Sequence, residues 1–313
     1  MSTSPDFAAG TGRAPNPVAV VLCGIASSAL ALGGVQGAAF HFDDFQVMGW
    51  YWLYAVPVGA ILVGAIASSG YALGSWWSGV KISGGLLAAI VVLQTGAYFA
   101  GQYLEFRMLE LVWEDGSQVS FWAYFDLLTR SYAFNEDDGS AGFALGGYGY
   151  VLRVLEVVGF AGASLFGPIA LRDKPYCEPC ALYMRDRQSL WFAASLPAQK
   201  LRKLDAAERE NYEASQQSCL QESLDHAQAL TELATDGDAA GFAASATERA
   251  IAMREAEKLP VRMRIRLSEC PGCEAGQLGA WIRTGDGQEM REEAVARLPL
   301  TRHFVRRALQ NGN

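Results

Sequence analysis

Apolar residues are spread unevenly along this chain. They crowd into the first 172 positions, and beyond Leu171 short apolar runs alternate with charged stretches. Four segments of the first part are long enough to cross a bilayer core of roughly 30 Å at about 1.5 Å per residue: 18–40 (VAVVLCGIASSALALGGVQGAAF), 48–77, 82–104 and 145–170. The first could instead be read as a secretory signal, since Arg13 precedes it and ALALGG supplies small residues for cleavage. The long leader, 1–16, weighs against that and reads as disordered. Trp50, Tyr51, Trp52 and Tyr54 at one end of the second segment, with Tyr71, Trp76 and Trp77 at the other, read as interfacial aromatic belts.

An even number of spans returns both termini to one face. Arg13, Lys81, Arg172, Lys174, Arg185 and Arg187 fall on that face, against Arg107 and Arg130 on the other, which predicts cytoplasmic termini in a bacterial-type inner (plasma) membrane. The outer loop between spans three and four, 105–144, holds eight acidic residues and two arginines. Its middle, VSFWAYFDLLTRSYAF, predicts an amphipathic helix lying on the outer interface or packed over the bundle. NEDDGSAG, 135–142, offers carboxylates but lacks the spacing of a calcium loop.

The second part predicts a soluble α+β domain. Val261, Met263, Ile265 and Leu267 alternate with Arg262, Arg264 and Arg266, a period-two strand, and 277–283 reads as its return strand before a Gly285-Asp286-Gly287 turn. LYMRDRQSLWFAA, 182–194, reads as a hairpin turning at RDRQ. Segment 197–259, with Leu201, Leu204, Leu220, Leu224, Leu230 and Leu233, predicts two or three helices with a turn near Gly237. Residues 291–313 form a basic C-terminal segment, with a short helix over 298–309 expected near the bilayer.

Six cysteines are present, and four form two pairs, Cys177-Glu-Pro-Cys180 and Cys270-Pro-Gly-Cys273. Two CxxC hooks offer a tetrahedral set of thiolates, which suits a structural Zn²⁺. Iron bound in the same way and a dithiol redox pair are alternatives; neither pair opens a helix in a βαβ setting, as a redox pair would. Four sulfurs leave no coordination position for water, which argues against metal hydrolysis. The second hook resembles the CPxC knuckle of zinc ribbons and rubredoxin-like domains. The whole is similar to a zinc ribbon (173–196 and 260–290) carrying a helical insertion and appended to a four-span bacterial inner-membrane protein. Two departures stand out: about 90 residues separate the hooks, and Glu274, not glycine, follows Cys273. Arg172, Lys174 and Arg185 could offset the charge of such a centre or be ordinary flanking cations.

Other polar positions change the picture less. Arg153 and Glu156 share one face of span four, where ionisable groups are costly unless paired, and Gln94, Gln102 and Glu105 of span three are candidate partners. Their pairing fits either packing or an ion path. Gly33 and Gly37, Ala60 and Gly64, and Gly70 and Gly74 stand four apart, a spacing for close helix contact within the chain or between copies. Pro57 and Pro168 are expected to kink their spans. The arginine stripe is either a solvated strand face or a grip for an anionic partner. Composition adds a boundary: 51% hydrophobic and 19% charged residues disfavour an ordinary soluble protein, and a net charge of -8 disfavours general nucleic-acid binding. No HExxH, Walker loop, GxSxG or GxGxxG is present.

The sequence thus predicts a membrane α-helical bundle of four spans (17–172) plus a cytoplasmic zinc-ribbon-like domain with a helical insertion. Its expected role is non-catalytic, an interaction or assembly module whose partners are membrane lipid and either another protein or further copies of itself in a homo-oligomer. A transporter or channel subunit using Glu156 and Arg153, and a thiol-redox or electron-transfer protein, are the alternatives.

Overall fold

The structure, a computed structural model, describes residues 14–41, 47–53, 55–132, 144–198, 205–285 and 291–311. Most of the leader, Tyr54, the acidic stretch 135–142, Leu201, Leu204 and the Asp286-Gly287 turn lie outside these. Contacts divide the chain between Lys174 and Pro175 into two compact units.

The first unit is helical: α1 Pro17–His41, α2 Val58–Ser78, α3 Gly84–Leu109, α4 Phe121–Arg130, α5 Gly149–Ala163 and α6 Phe166–Arg172. Four stretches are long and apolar enough to cross a membrane: 17–39, 58–78, 84–109 and 146–172, the last taking in α5 and α6. Helix α2 is the centre of the bundle, packed against α1, α3, α5 and α6. Small residues allow this. A Cβ on Gly64 would stand 2.2 Å from the Phe160 carbonyl oxygen, and one on Gly70 would stand 2.1 Å from that of Cys23. Gly74 lies against Val20 and Cys23. Gly33 and Gly37 differ: a Cβ there meets nothing within 4 Å, so their spacing mediates no helix contact within the described residues.

Several expectations for this unit change. Span two begins at Val58, not near 48; the described residues 50–53 and 55–57 are non-helical, with a Trp52–Val56 bridge. Pro57 caps α2 instead of kinking it, a position where its missing N–H costs nothing. Pro168 does interrupt its span. It cannot donate to the carbonyl four residues back, Ser164, and α5 ends there before α6 resumes at Phe166. Tyr71 is no belt residue: it is 1% exposed, its ring lying over Gly24. Trp50, Trp52, Trp76 and Trp77 are exposed. Helix α4 packs over the bundle, with Phe121 and Tyr124 against Phe106, and Phe125 against Phe99.

The second unit holds a two-stranded hairpin, β1 Tyr176–Cys177 and β2 Leu182–Tyr183, and a four-stranded antiparallel sheet in the order β3-β4-β5-β6. Its strands are β3 Arg185–Ala193, β4 Val261–Glu269, β5 Gly276–Thr284 and β6 Arg291–Leu300. Between β3 and β4 come α7 Ala206–Asp236, α8 Ala239–Glu248 and α9 Met253–Ala256, and α10 Arg302–Asn311 closes the chain. Asp205 and Glu208 form a capping box at the start of α7, and Gly237 ends it at φ 79°, the left-handed conformation that glycine takes most readily. One face of the sheet, with Met263, Ile265, Leu267 and Leu278, packs on Leu230, Phe242, Phe304 and Val305 of the helices.

Two strand expectations are corrected. Residues 182–194 are not a hairpin turning at RDRQ; 185–193 is a single strand with an irregularity between Asp186 and Gln188. The polar run sits at the start of an edge strand, where consecutive side chains are exposed on both faces, so polarity marked an open strand end, not a turn. Segment 291–313 is not only a helix, because β6 pairs with β5 along its length and α10 follows.

Candidate metal centre

The two hooks sit at the ends of strand pairs. Cys177-Glu-Pro-Cys180 forms the turn of the β1–β2 hairpin, where Cys177 pairs with Leu182 and Tyr176 with Tyr183. Cys270-Pro-Gly-Cys273 forms the turn between β4 and β5, whose last pair is Glu269–Gly276. Backbone bonds close both turns: in the second, the Glu274 amide donates to the Cys270 carbonyl (2.9 Å) and the Cys270 amide to that of Ala275 (2.7 Å), and in the first, the Ala181 amide donates to the Glu178 carbonyl (3.3 Å). Each hook is followed by a residue in the left-handed region, Ala181 at φ 51° and Glu274 at φ 60°. Non-glycine residues resist that conformation by roughly 1–2 kcal/mol, so two equivalent turns hold the same strained geometry.

The hooks bring all four sulfurs together. The Sγ atoms of Cys177, Cys180, Cys270 and Cys273 lie within 4.8 Å of one another, all four residues are buried and none is disulfide-bonded. The Cys177 and Cys273 sulfurs are 3.7 Å apart. A tetrahedron with metal–sulfur bonds of ~2.3 Å has edges of about 3.8 Å, close to the Cys177–Cys273 distance, so this donor set could hold a metal ion. Ala275, Leu182 and Met184 form the apolar surround. Gly272 leaves room beside Cys180, since a Cβ would stand 3.2 Å from that sulfur. Its amide donates to the Cys270 sulfur (3.4 Å).

The protonation of these thiols fits cation binding. Burial pushes the Cys177 thiol well above its ordinary value, and pushes that of Cys180 up to about 12. For Cys273 burial also acts upward, but the Ala275 amide and the other three sulfurs outweigh it and hold the thiol below its ordinary value. Without a cation, the Cys177 and Cys180 thiols resist ionisation.

The C-terminal helix supports the second hook, a role the sequence reading did not foresee. Glu274 accepts from Arg302 (2.6 Å) and Arg306 (2.8 Å) of α10. The sequence signal for this is the basic character of 302–307, a pattern that by itself fits a bilayer surface equally well. Lys174, a candidate for offsetting the centre's charge, instead lies over the Trp76 ring at 4.6 Å within the helical unit.

The arginine stripe is not a solvated face. Arg262 is 8% exposed and donates to the carbonyls of Ala256 and Leu259. Register places Arg264 between Trp191 and Trp281, and its guanidinium lies over the Trp191 ring at 5.2 Å. Arg266 covers Trp281 at 4.9 Å and pairs with Asp186 at 3.5 Å. Burial, with Arg266 and Arg283 nearby, holds Arg264 below the usual guanidinium range.

In the helical unit, Glu156 is fully buried and Arg153 nearly so, paired at 2.7 Å. The expected partners from span three are replaced by tyrosines. Glu156 accepts from Tyr51 (2.8 Å), Tyr98 (2.7 Å) and Tyr132, and Arg153 also donates to Tyr98 (3.0 Å). Gln94 instead donates to Ser28 of α1 (2.7 Å). Tyrosines on a loop and on α3 reach Glu156 because the folded bundle places their hydroxyls there; no local spacing announces it.

No family model, curated protein or solved structure matches the chain. The four-helix unit and the sulfur cluster therefore carry the functional reading.

Proposed function

We propose that this chain is a multi-pass protein of a bacterial-type inner membrane whose C-terminal unit is a zinc ribbon with a helical insertion, serving as a cytoplasmic interaction or assembly module. The observation that carries this is the convergence of four buried sulfurs from hooks about 90 residues apart in sequence. Four thiolates fill a tetrahedral shell, so bound zinc would cross-link the two hooks and present no position to a substrate. Its contribution is folding free energy: it fastens the β1–β2 hairpin to the β4–β5 turn on either side of the α7–α9 insertion. The partner of the module is a protein or a second copy of the chain.

Glu156 and Arg153 are assigned to packing. A carboxylate that accepts from three hydroxyls and a guanidinium has its hydrogen-bonding capacity filled from within the bundle, which favours a packing role over an ion path. Metal quantitation on full-length protein purified under reductant tests the main reading. About one zinc per chain supports it. Bound iron moves the centre to electron transfer, and metal-free protein with a titratable disulfide overturns it.

A further inference from the structure

Two hollows share walls between α1 and α3. The larger, about 520 Å³, is an apolar groove bounded by Ile25, Ala29, Leu93, Ala97 and Leu104. The smaller, about 80 Å³, is a mostly apolar chamber whose wall also holds Tyr98, Gln102, Glu105, Tyr132 and Arg153. Leu32, Gln36 and Gly101 line both, so the groove adjoins the chamber. Along α1 the chamber spans residues 32–39 and along α3 residues 98–105, whereas the groove reaches back to Ile25 and Leu93. From Leu93 to Leu104 the helix rises ~16 Å. Glycines keep the groove open: a Cβ on Gly33 or Gly96 would meet nothing within 4 Å.

Two residues that line the chamber each carry an unmet hydrogen-bonding atom. Gln102 Oε1 and Arg153 Nε are buried without a partner, on residues only 7% and 5% exposed. Such atoms cost roughly 1–3 kcal/mol each when left unpaired. Phospholipid tails from the surrounding bilayer could fill the groove, but they would leave both atoms unpaired. Water could pair them, but it would not occupy an apolar groove. An occupant that meets both conditions has a hydrogen-bonding head and an apolar tail. The charge of the chamber decides the head. Arg153 is already neutralised by Glu156 at 2.7 Å, and Glu105 is a further carboxylate on the wall, so an anionic head is disfavoured.

We propose that the α1–α3 groove and its chamber form a binding site for a single-tailed membrane amphiphile with a small uncharged head. The head presents an acceptor to the Arg153 Nε–H and a donor to Gln102 Oε1, and the tail lies along the groove between Gly33 and Gly96. Two sources share this chemistry, a monoacylglycerol-type lipid and an isoprenoid quinol. The site is independent of the metal centre.

The test uses full-length protein in phosphatidylcholine nanodiscs with a monoacylglycerol carrying a photoactivatable diazirine in its tail, and cross-links mapped by mass spectrometry. Labelling concentrates on residues 25–36 and 93–108. Filling the groove with Gly33→Leu and Gly96→Leu lowers it about tenfold, equivalent to roughly 1.4 kcal/mol of binding. These variants place side chains in open space, so unchanged thermal unfolding shows that the bundle persists. Gln102→Leu lowers labelling by removing the head's acceptor partner while the groove stays open. Unlabelled monoacylglycerol and a short-tailed quinol then compete, and the stronger competitor identifies the source. Labelling spread evenly over exposed positions such as Leu62, Ile66 and Val158, labelling insensitive to the groove variants, or displacement by neither competitor overturns the proposal.

Discussion

The sulfurs of Cys177 and Cys273 stand 3.7 Å apart across 96 positions of sequence. One belongs to the two-stranded hairpin and the other to the β4–β5 turn, so this approach is a tertiary contact that a bound metal would convert into a cross-link.

Cys270→Ser removes one of four ligands. With metal affinity counted in folding free energy, of order 10 kcal/mol for thiolate zinc, the C-terminal unit loses its metal and unfolds while the four apolar helices still insert. Metal analysis and limited proteolysis of the full-length membrane protein check this, the expected result being cleavage beyond Pro175 with 14–174 protected.

The cluster should respond to pH in opposite directions with and without metal. Metal must displace thiol protons, so retention weakens as pH falls. In the metal-free protein the Cys177 and Cys180 thiols are raised, Cys180 from the ordinary 9.0 to about 12. A raised pKa stabilises the fold fully below the unfolded value and loses that contribution as pH climbs through the folded one. The lowered Cys273 acts against this and is outnumbered. Unfolding midpoints of chelated protein therefore decline from about pH 9 upward, whereas metal-loaded protein is weakest at the acidic end.

Glu156→Gln leaves Arg153 buried beside an uncharged partner. Breaking a buried pair costs about 3–5 kcal/mol, while replacing both members with apolar residues costs far less. Thermal unfolding in detergent separates the cases: Glu156→Gln falls steeply, and Arg153→Met with Glu156→Met recovers much of the loss.

Gly64→Ala and Gly33→Ala make a matched comparison. The first drives a methyl to 2.2 Å from the Phe160 carbonyl oxygen and costs about 1–3 kcal/mol through helix displacement. The second meets nothing within 4 Å and stays within ~0.5 kcal/mol. The same thermal assay reads both.

Ala181→Gly relieves the left-handed strain after the first hook. The gain is up to about 1 kcal/mol, seen as a higher unfolding midpoint of the metal-loaded C-terminal unit.

Much of this protein was written locally. Runs of apolar residues long enough for a bilayer specify α1 to α3 and the α5–α6 span, because helix length and hydrophobicity are additive along a segment. The alternation from Val261 to Leu267 specifies β4, and Gly237 specifies the end of α7. The two CxxC hooks announced their donor chemistry, since two sulfurs on one turn need no distant information.

Tertiary structure decided what depends on contacts between segments. Only folding puts Cys177 beside Cys273, brings Arg302 and Arg306 to Glu274, and lays Arg264 over the Trp191 ring and Arg266 over that of Trp281. The alternating pattern of β4 shows which side chains share a face and is silent on what covers them. Glu156 shows the same division: sequence requires that a buried carboxylate be paired, because desolvation is costly, but the identity of Tyr51, Tyr98 and Tyr132 as its donors is set by how α3, α5 and the loops pack. Gly33 and Gly64 carry the same residue type and similar spacing, yet one faces open space and the other a backbone carbonyl. That difference is a property of neighbours, and neighbours are fixed by the fold.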